Sequence, residues 1–388
     1  AFEQAQKHMP ISNLEQISRQ KTDHAKATVK HILDNKHAEA IHSLPTHQIQ
    51  NEQAKVKAQY QQKIEHIEAK KSAGEKLNDR DKSTLKTHKD DLKQAAQKDN
   101  VTVIKDLAKD YAALSPKERA ETIVITATNA DRASINAEIR TNLKSAGEIT
   151  DSRMVQVLER KDMTAEQAKR AANYQQGDKI KFAKDYKSLG LERGEQVTVL
   201  KTDTRTNTIT AMTSKGSTVT YQPDRHQAQA YQAKERELGV GDKIKFAENN
   251  RDFDVKNGQS ATIERIEGAS LAVRLEDGKT KSIDMSKYQH IDHAYVSTSQ
   301  AAQGQTVNKT IIHHNTEAGK HGQREAYVNA TRARMDTKLY TQDKVKAAEQ
   351  AGVRVDKTFA TVPTPQPTPE AKQAEPDKAR SRDNDYSL

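Results

Sequence analysis

Hydrophobic positions divide the chain into stretches of different periodicity, and the first stretch is helical. The segment "PISNLEQISRQK" places Ile11, Leu14 and Ile17 at helical spacing and closes with the polar run 19–21. We therefore predict that residues 1–45 are the helical start of a larger segment.

The next stretch, residues 46–100, is so polar that only a narrow apolar stripe remains. Gly74 interrupts the stripe, and a second polar helix follows with Leu85 and Leu92 seven residues apart. The first half of the stripe consists of Ile49, Val56, Tyr60, Ile64 and Ile67. We predict an antiparallel helical hairpin inserted into the fold, and a disordered charged linker is the alternative.

Apolar content rises again over residues 101–170. Ser115 to Glu118 form a capping box with proline at the first helical position. A continuous apolar strand, 123–126, then leads through the polar turn 128–131 into a helix that carries Ile135, Ile139 and Leu143. This order is typical of an α/β fold, and it places the turn at the carboxyl end of a strand, where such sheets bind ligands.

Residues 171–290 contain an internal repeat with the period of β-strands. The heptapeptide "GDKIKFA" occurs at 177–183 and again at 241–247, and each copy is followed by glycine turns and short alternating strands. This pattern predicts an inserted unit of small β-barrels, of the SH3-like kind. Barrels of this type bind DNA, peptides or nothing, so the repeat does not identify a function.

The α/β pattern returns over residues 291–352 and is followed by a tail of a different composition. The segment "YVSTSQAAQGQT" (295–306) is a short β-prone run that continues into hydroxyls, amides and glycine instead of large aliphatic residues. A helix ("QREAYVNATRAR"), a short strand and a last helix to about Ala351 come next. Residues 353–388 are rich in proline and charge, which predicts a disordered tail.

Composition restricts the classes of function. The 388 residues carry 64 Lys and Arg against 54 Asp and Glu, which favours a nucleic-acid partner or reflects a solvated basic surface. The absence of cysteine excludes disulfides and thiolate chemistry and fits a reducing, cytoplasmic setting. The sequence contains no run of 18 apolar residues, so it predicts no membrane span. Because the sequence opens without methionine, we expect a fragment of a larger protein.

Three separated patches carry the side chains of an anion-binding site. They are Arg19-Gln20, the strand end 295–306, and the segment "YVNATRAR" with Arg332 and Arg334. A planar guanidinium can bond two phosphate oxygens at once, and a glycine lets the backbone approach a phosphate closely. We therefore predict that the three patches form one site.

These patches also carry a family resemblance. "HAYVSTSQAAQGQT" and "YVNATRAR" resemble the fifth and sixth motifs of superfamily 1 helicases of the RecD-like branch, and "ISRQK" resembles the fourth. Together with "LSPKERAETIVITATNADRASINAEIR", they resemble the helicase part of conjugative relaxase-helicases of the TraI/TrwC (MobF) type. The resemblance covers roughly 10–45 and 100–345, and it implies a second RecA-like (P-loop NTPase-type) domain, interrupted by the β-unit, in an ATP-driven motor on single-stranded DNA.

The resemblance also implies roles for individual residues. Arg332 would be the arginine finger that reaches the γ-phosphate of ATP. The other nucleotide contacts would be Arg19, Gln20, Gln303 and Gly304, and the DNA contacts would be Thr128, Asn129, Arg132, Thr298 and Thr306. Gln300 departs from the family, since many members carry an aromatic residue or histidine there, which puts a stacking contact with a base in doubt.

Several parts of a complete motor are missing from these residues. Gly278-Lys279-Thr280 lacks the first glycine of a P-loop, because position 273 is Val, and we predict a hairpin turn there. We find no Mg²⁺-binding acidic pair at the end of an apolar strand. ATP and Mg²⁺ would therefore need a separate P-loop domain. His313, His314 and His321 lack carboxylates at metal-ligand spacing, so we interpret them as loop histidines.

Three functions follow as hypotheses. The first is the helicase part of a conjugative relaxase that is inactive alone, with the upstream relaxase and P-loop domains, single-stranded DNA and a type IV secretion system as partners. The second is a non-catalytic DNA clamp or secretion-docking module. The third is a fragment of a RecD-like repair helicase.

Overall fold

The computed structural model describes residues 17–49, 54–318 and 321–353. The predictions for Ile11, Leu14 and the tail beyond residue 353 lie outside this part of the chain. Within it, every helix is too short or too polar to cross a membrane.

The described residues form nine helices and sixteen strands. The helices are α1 (Asp23–Leu33), α2 (His37–Ser43), α3 (Ala54–Ser72), α4 (Asp79–Ala113), α5 (Pro116–Ala120), α6 (Asn129–Ser145), α7 (Ala165–Ala168), α8 (Gln323–Ala330) and α9 (Lys344–Gly352). The strands are β1 (Thr46–Gln48), β2 (Thr122–Thr126), β3 (Thr150–Arg160), β4 (Lys179–Phe182), β5 (Gln196–Asp203), β6 (Thr208–Thr213), β7 (Thr218–Tyr221), β8 (Ala228–Val240), β9 (Lys243–Phe246), β10 (Ser260–Glu267), β11 (Ser270–Leu275), β12 (Thr280–Asp284), β13 (Ile291–His293), β14 (Val296–Thr298), β15 (Val307–His314) and β16 (Ala333–Thr341).

A five-stranded parallel sheet lies at the centre of the α/β part, in the order β1-β16-β15-β2-β14. Strand β2 is buried along its whole length, as its uninterrupted apolar sequence predicts. The chain leaves the sheet after β2 and returns at β14, directly beside β2. The prediction of a mixed α/β fold with a parallel sheet is therefore confirmed.

Helices cover both faces of this sheet. On one face, α4 and α6 pack Leu107, Ile135 and Ile139 against Val124 in one apolar cluster. On the other face, α2, α8 and α9 bring small and aliphatic residues against Leu339 of β16. The result is a three-layer sandwich, and the predicted apolar stripe of α6 forms part of its core.

The helical insertion consists of α3 and α4 and is shorter at its start than predicted. Ile64 and Ile67 of α3 are buried, and the ring of Tyr60 stacks on that of His88 with centroids 4.7 Å apart. Ile49 does not belong to this hairpin: it follows β1 and lies in the core of the parallel sheet. Helix α4 continues without a break to Ala113, because its last turns carry the apolar residues that cover the sheet.

The repeated heptapeptide marks two antiparallel units with the same strand order. The first has the order β8-β4-β5-β6-β7, with β3 added outside β8, and the second has the order β13-β9-β10-β11-β12. Ile180 and Phe182 of the first unit and Ile244 and Phe246 of the second are all buried. The predicted β-architecture of the repeat is thus confirmed as a duplication.

The aspartate of each heptapeptide pairs with a cation that lies outside residues 171–290. Asp178 is buried and accepts a hydrogen bond from Lys161 at 2.6 Å. Asp242 accepts bonds from Arg140 of α6 at 2.8 Å through both carboxylate oxygens, so the second unit is attached directly to the helix that covers the parallel sheet.

Three local predictions need correction. The run 19–21 lies outside the helices and strands and precedes α1, so it does not end a helix. Arg332 and Arg334 lie beyond the end of α8, with Arg334 already in β16. Strand β3 belongs to the antiparallel sheet because it pairs with β8, although its residues fall within the segment predicted as α/β.

The predictions for the histidines and for the Gly-Lys-Thr tripeptide have different outcomes. His313 and His314 are not loop residues: they lie in β15 and are buried, because the parallel sheet continues to the end of that strand. His321 does lie outside the helices and strands, but it too is buried and stacks on His314 with centroids 3.6 Å apart. Gly278 sits in the turn between β11 and β12, as predicted.

Candidate functional site

The loop between β14 and β15 lies against Arg332, so two of the three predicted patches meet. Arg332 is buried, and its Nη1 donates a hydrogen bond to the backbone oxygen of Gln305 at 3.1 Å. Its Nε donates to the oxygen of Val328 at 2.9 Å and its Nη2 to Thr331 Oγ1 at 2.7 Å. The bond to Gln305 holds the guanidinium against the loop that contains the exposed residues Gln303 and Gly304.

The third patch reaches the same place from the other end of the chain. Nη1 of Arg19 donates to the backbone oxygen of Thr331 at 3.3 Å. Gln20 is buried and donates through Nε2 to the oxygens of Thr331 and Ala333. The side-chain amide of Gln20 therefore anchors the segment before α1 to the start of β16, and it places Arg19 next to Arg332.

The two guanidiniums form a concentration of positive charge. Within the described part of the chain, all the acceptors of Arg332 are uncharged, and so is the acceptor of Arg19. Burial lowers the pKa of Arg332, and the neighbouring charge of Arg19 lowers it further. The two neighbouring cations repel each other, and their neutral acceptors do not cancel this charge. A bound anion with several charges would stabilise the pair.

Gly304 supplies the tight turn of this loop. Its φ is +89°, a conformation that side chains with a Cβ rarely adopt, and open space surrounds the position of an added Cβ. The backbone at Gly304 is therefore accessible from outside. This arrangement suits a close approach by an oxyanion, although the roles of Gln303 and Gly304 remain predictions.

A large groove opens beside the same loop. It has a volume of about 1800 Å³ and lies between the parallel sheet, the β3–β8 ribbon and the second antiparallel unit. Gln305 and Thr306 form part of its wall, so this loop faces the groove while it also binds Arg332.

The predicted DNA contacts divide between the groove and local caps. Asn129, Arg132 and Thr306 line the groove. Thr128 caps α6, since its hydroxyl accepts from the backbone nitrogen of Asp131 at 3.0 Å, and Thr298 Oγ1 accepts from Ala301 at 3.3 Å. In this conformation, the last two hydroxyls shape the turns instead of facing the groove.

The groove is basic and offers polar side chains in place of aromatic rings. Nine lysines and arginines and five carboxylates line it. Its three aromatic lining residues, Tyr111, Phe246 and Tyr295, are buried. A single-stranded polyanion could therefore bind through its backbone, and stacking of bases on exposed rings is not available among the described lining residues.

Sequence reasoning missed the lysines and arginines that the antiparallel strands contribute to the groove. Lys243 and Lys245 alternate with buried Ile244 and Phe246 in the second heptapeptide, and Arg236 comes from β8. The strict alternation in "KIKF" predicts that both lysines share a face opposite to the core. Only the fold shows that this face meets Arg132.

A buried polar network connects the groove wall to the helical insertion. Asp131 accepts hydrogen bonds from Asn100 of α4 at 3.0 Å and from Asn315 at 3.1 Å. His313 lies between Thr126 Oγ1 and Asn100 Oδ1, at 3.0 Å from each. This network joins α4 to the turn that follows β2, and the sequence shows it only as scattered amides and histidines.

Comparisons with known proteins agree with the motif-based resemblance. The chain is 24% identical over 290 residues to the multifunctional conjugation protein TraI of Escherichia coli, a match that covers 71% of this chain and 16% of that protein. TraI of strain K12 is 25% identical over 289 residues with the same coverage. The chain thus spans about a sixth of the length of these relatives. No family model matches.

Two solved helicase structures align with parts of this chain. A Pif1 helicase from Bacteroides, in complex with ADP-AlF3 and single-stranded DNA, aligns at a TM-score of 0.26 with 14% identity, over 87% of this chain and 53% of that one. A Pif1 helicase from Candida albicans aligns at a TM-score of 0.22 with 14% identity, over 64% of this chain and 52% of that one. The match to TraI over 71% of this chain confirms the predicted resemblance to the TraI-type conjugative relaxase-helicases.

Proposed function

We propose that this chain is the part of an ATP-dependent DNA helicase or translocase that carries the second RecA-like domain, in a relaxase that unwinds plasmid DNA for conjugation. One observation supports this most: a single loop, 299–306, bonds to the buried Arg332 through Gln305 and also forms part of the wall of a basic groove. A motor needs such an element, since nucleotide state and DNA contact must be coupled.

On the nucleotide side, Arg332 is the arginine finger and Arg19 a second phosphate contact. Their neutral hydrogen-bond partners leave both charges available to an anion, and Gly304 exposes its backbone beside them. Bound ATP would supply the energy-yielding phosphoryl group, with Mg²⁺ and the P-loop provided by a first RecA-like domain. Without that domain, the chain is expected to be inactive in hydrolysis.

On the DNA side, the groove binds the backbone of single-stranded DNA. Asn129, Arg132 and Thr306 lie in its wall, and cations outnumber carboxylates there. Because a phosphate is the same for every base, this binding is expected to be independent of sequence and strongly dependent on salt. We interpret the two antiparallel units as small SH3-like barrels, since both have five strands in one order.

The DNA side can be tested by fluorescence polarisation with a fluorescein-labelled oligothymidylate and with a mixed-sequence strand of the same length. The proposal predicts equal affinities for the two strands and a linear fall of log K with log salt concentration. An absence of binding at low salt would refute the assignment of the groove. Contact with a secretion system and a cytoplasmic location stay predictions from the resemblance.

A further inference from the structure

A cluster of charged side chains lies in the wall of the groove, where the parallel sheet and the antiparallel units meet. Asp292 of β13 pairs with Arg132 of α6 and with Arg236 of β8. Lys245 of β9 approaches the same carboxylate at 3.9 Å. One acidic side chain thus contacts three cations from three different elements.

The cluster holds more positive than negative charge. The second carboxylate, Glu159 of β3, lies 3.9 Å from both Arg132 and Arg236, and 2.5 Å from Lys234. Four cations therefore share two carboxylates. Asp292 and the two arginines are at most 15% exposed, so water screens the excess charge only weakly.

The protonation equilibria reflect this imbalance. Burial on its own raises the pKa of Asp292, but the charges of Arg132, Arg236 and Lys245 outweigh it and hold the pKa below its usual value. For Lys245, burial lowers the pKa and the two arginines lower it further, against the attraction of Asp292. The carboxylate is firmly ionised, whereas the cations around it are incompletely neutralised.

We propose that this cluster is a phosphate-binding subsite of the groove, and that Asp292 occupies it as an internal competitor until a nucleic-acid phosphate displaces it. The inference rests on the proposed binding of single-stranded DNA in this groove. An aspartate carboxylate and a phosphodiester both offer two anionic oxygens to a guanidinium. Arg132 and Arg236 can therefore exchange the carboxylate for a phosphate.

The position of the cluster gives this exchange a consequence. Arg132 belongs to the first turn of α6, beside the predicted DNA contact Asn129, whereas Arg236 and Lys245 belong to the antiparallel strands. A phosphate that replaces Asp292 would bond to both parts at once. Binding of DNA would then strengthen the junction between the parallel sheet and the second unit at the point where Asp292 now holds it.

The test uses Asp292→Asn and, as its matched control, Glu276→Gln. Both variants remove one negative charge from the groove wall, but Glu276 is 70% exposed and, among the described residues, forms an ion pair only with Lys243, at 3.7 Å. Affinity for a fluorescein-labelled oligothymidylate is measured over a range of NaCl concentrations. We expect Asp292→Asn to bind about threefold or more tighter at low salt, because the phosphate no longer has to displace a carboxylate from the subsite.

A second mutation separates this mechanism from a general gain of charge. In an Arg236→Gln background, Asp292→Asn should gain much less affinity, because one of the freed cations is gone. If thermal unfolding shows that Asp292→Asn is not folded, Glu159→Gln replaces it. Glu159 lies 3.9 Å from the same two arginines, so its substitution also removes a carboxylate from them. Equal effects of Asp292→Asn and Glu276→Gln would overturn the inference, with or without the Arg236→Gln mutation.

The wild-type result distinguishes this inference from the proposed function. If the wild type binds and Asp292→Asn resembles the control, the groove assignment stands and the competitor role falls. If neither the wild type nor any variant binds, both fall together.

Discussion

Nη1 of Arg332 donates a hydrogen bond to the backbone oxygen of Gln305 across 3.1 Å, although 27 positions separate the two residues in the chain. The bond joins the end of α8 to the loop after β14. A shift of that loop in the groove would therefore change the position of the guanidinium, and the reverse also holds.

The first prediction concerns Arg332→Ala in a longer protein that joins this segment to a P-loop domain. DNA-stimulated ATP hydrolysis should fall by about a thousandfold or more, because a finger stabilises charge in the transition state. The matched control is Arg334→Ala, two residues away and exposed, which should retain most of the activity. Steady-state hydrolysis and thermal unfolding check both variants. Normal hydrolysis by a folded Arg332→Ala protein would remove the finger assignment.

The second prediction concerns the turn at Gly304. Gly304→Ala should lower the free energy of unfolding by about 1 kcal/mol, because alanine at a positive φ is strained even where space is open. Gly352→Ala is the control, since that glycine ends α9 without a positive φ and also meets open space. Urea denaturation measures both, and a loss of equal size in the two variants would show that strain at Gly304 is not the cause.

The third prediction concerns the attachment of the second antiparallel unit. Asp242→Asn should destabilise the protein by about 3 kcal/mol, because Arg140 would remain buried without its two-oxygen partner. Asp178→Asn removes the equivalent carboxylate of the first unit and should cost less, because its partner Lys161 bonds to one of its oxygens only and also donates to the backbone oxygen of Asn173. Urea denaturation gives the two free energies. The opposite ranking would contradict the role assigned to Arg140.

The fourth prediction is a loss of stability in mild acid. Burial lowers the pKa of His293 and of His313 to about 4 and that of His314 to about 3, against an ordinary value of 6.5. Between pH 6.5 and about 4 the unfolded chain binds more protons than the folded one, so the free energy of unfolding falls as pH falls.

Urea denaturation from pH 7.5 to 4 tests this dependence. Above pH 7 all three histidines are neutral in the folded and the unfolded state. Their contribution to the free energy of unfolding should therefore not change with pH there. His314→Gln should reduce the slope in the acid window by up to one proton. An unchanged slope in that variant would show that His314 is not a source of the pH dependence.

Helices and strands could be predicted where the hydrophobic positions follow a single periodicity. The apolar run of β2 and the stripe of α6 each determine an element and its buried face, because neighbours along the chain supply the signal. The identical heptapeptides likewise determined a duplicated β-unit. The end of α8 was misjudged, since the turn at Arg332 depends on its bonds to Gln305 and Val328.

The sequence by itself determined the class of fold and the duplication, and it predicted the three patches of an anion-binding site. Only the tertiary structure decided which residues meet, since contacts such as Arg132 with Asp292 join residues 160 positions apart. It also decided that His313 and His314 are buried strand residues. The physical reason is that periodicity encodes which face of an element is buried, whereas the pairing of charged and polar groups across elements depends on the arrangement of the whole chain.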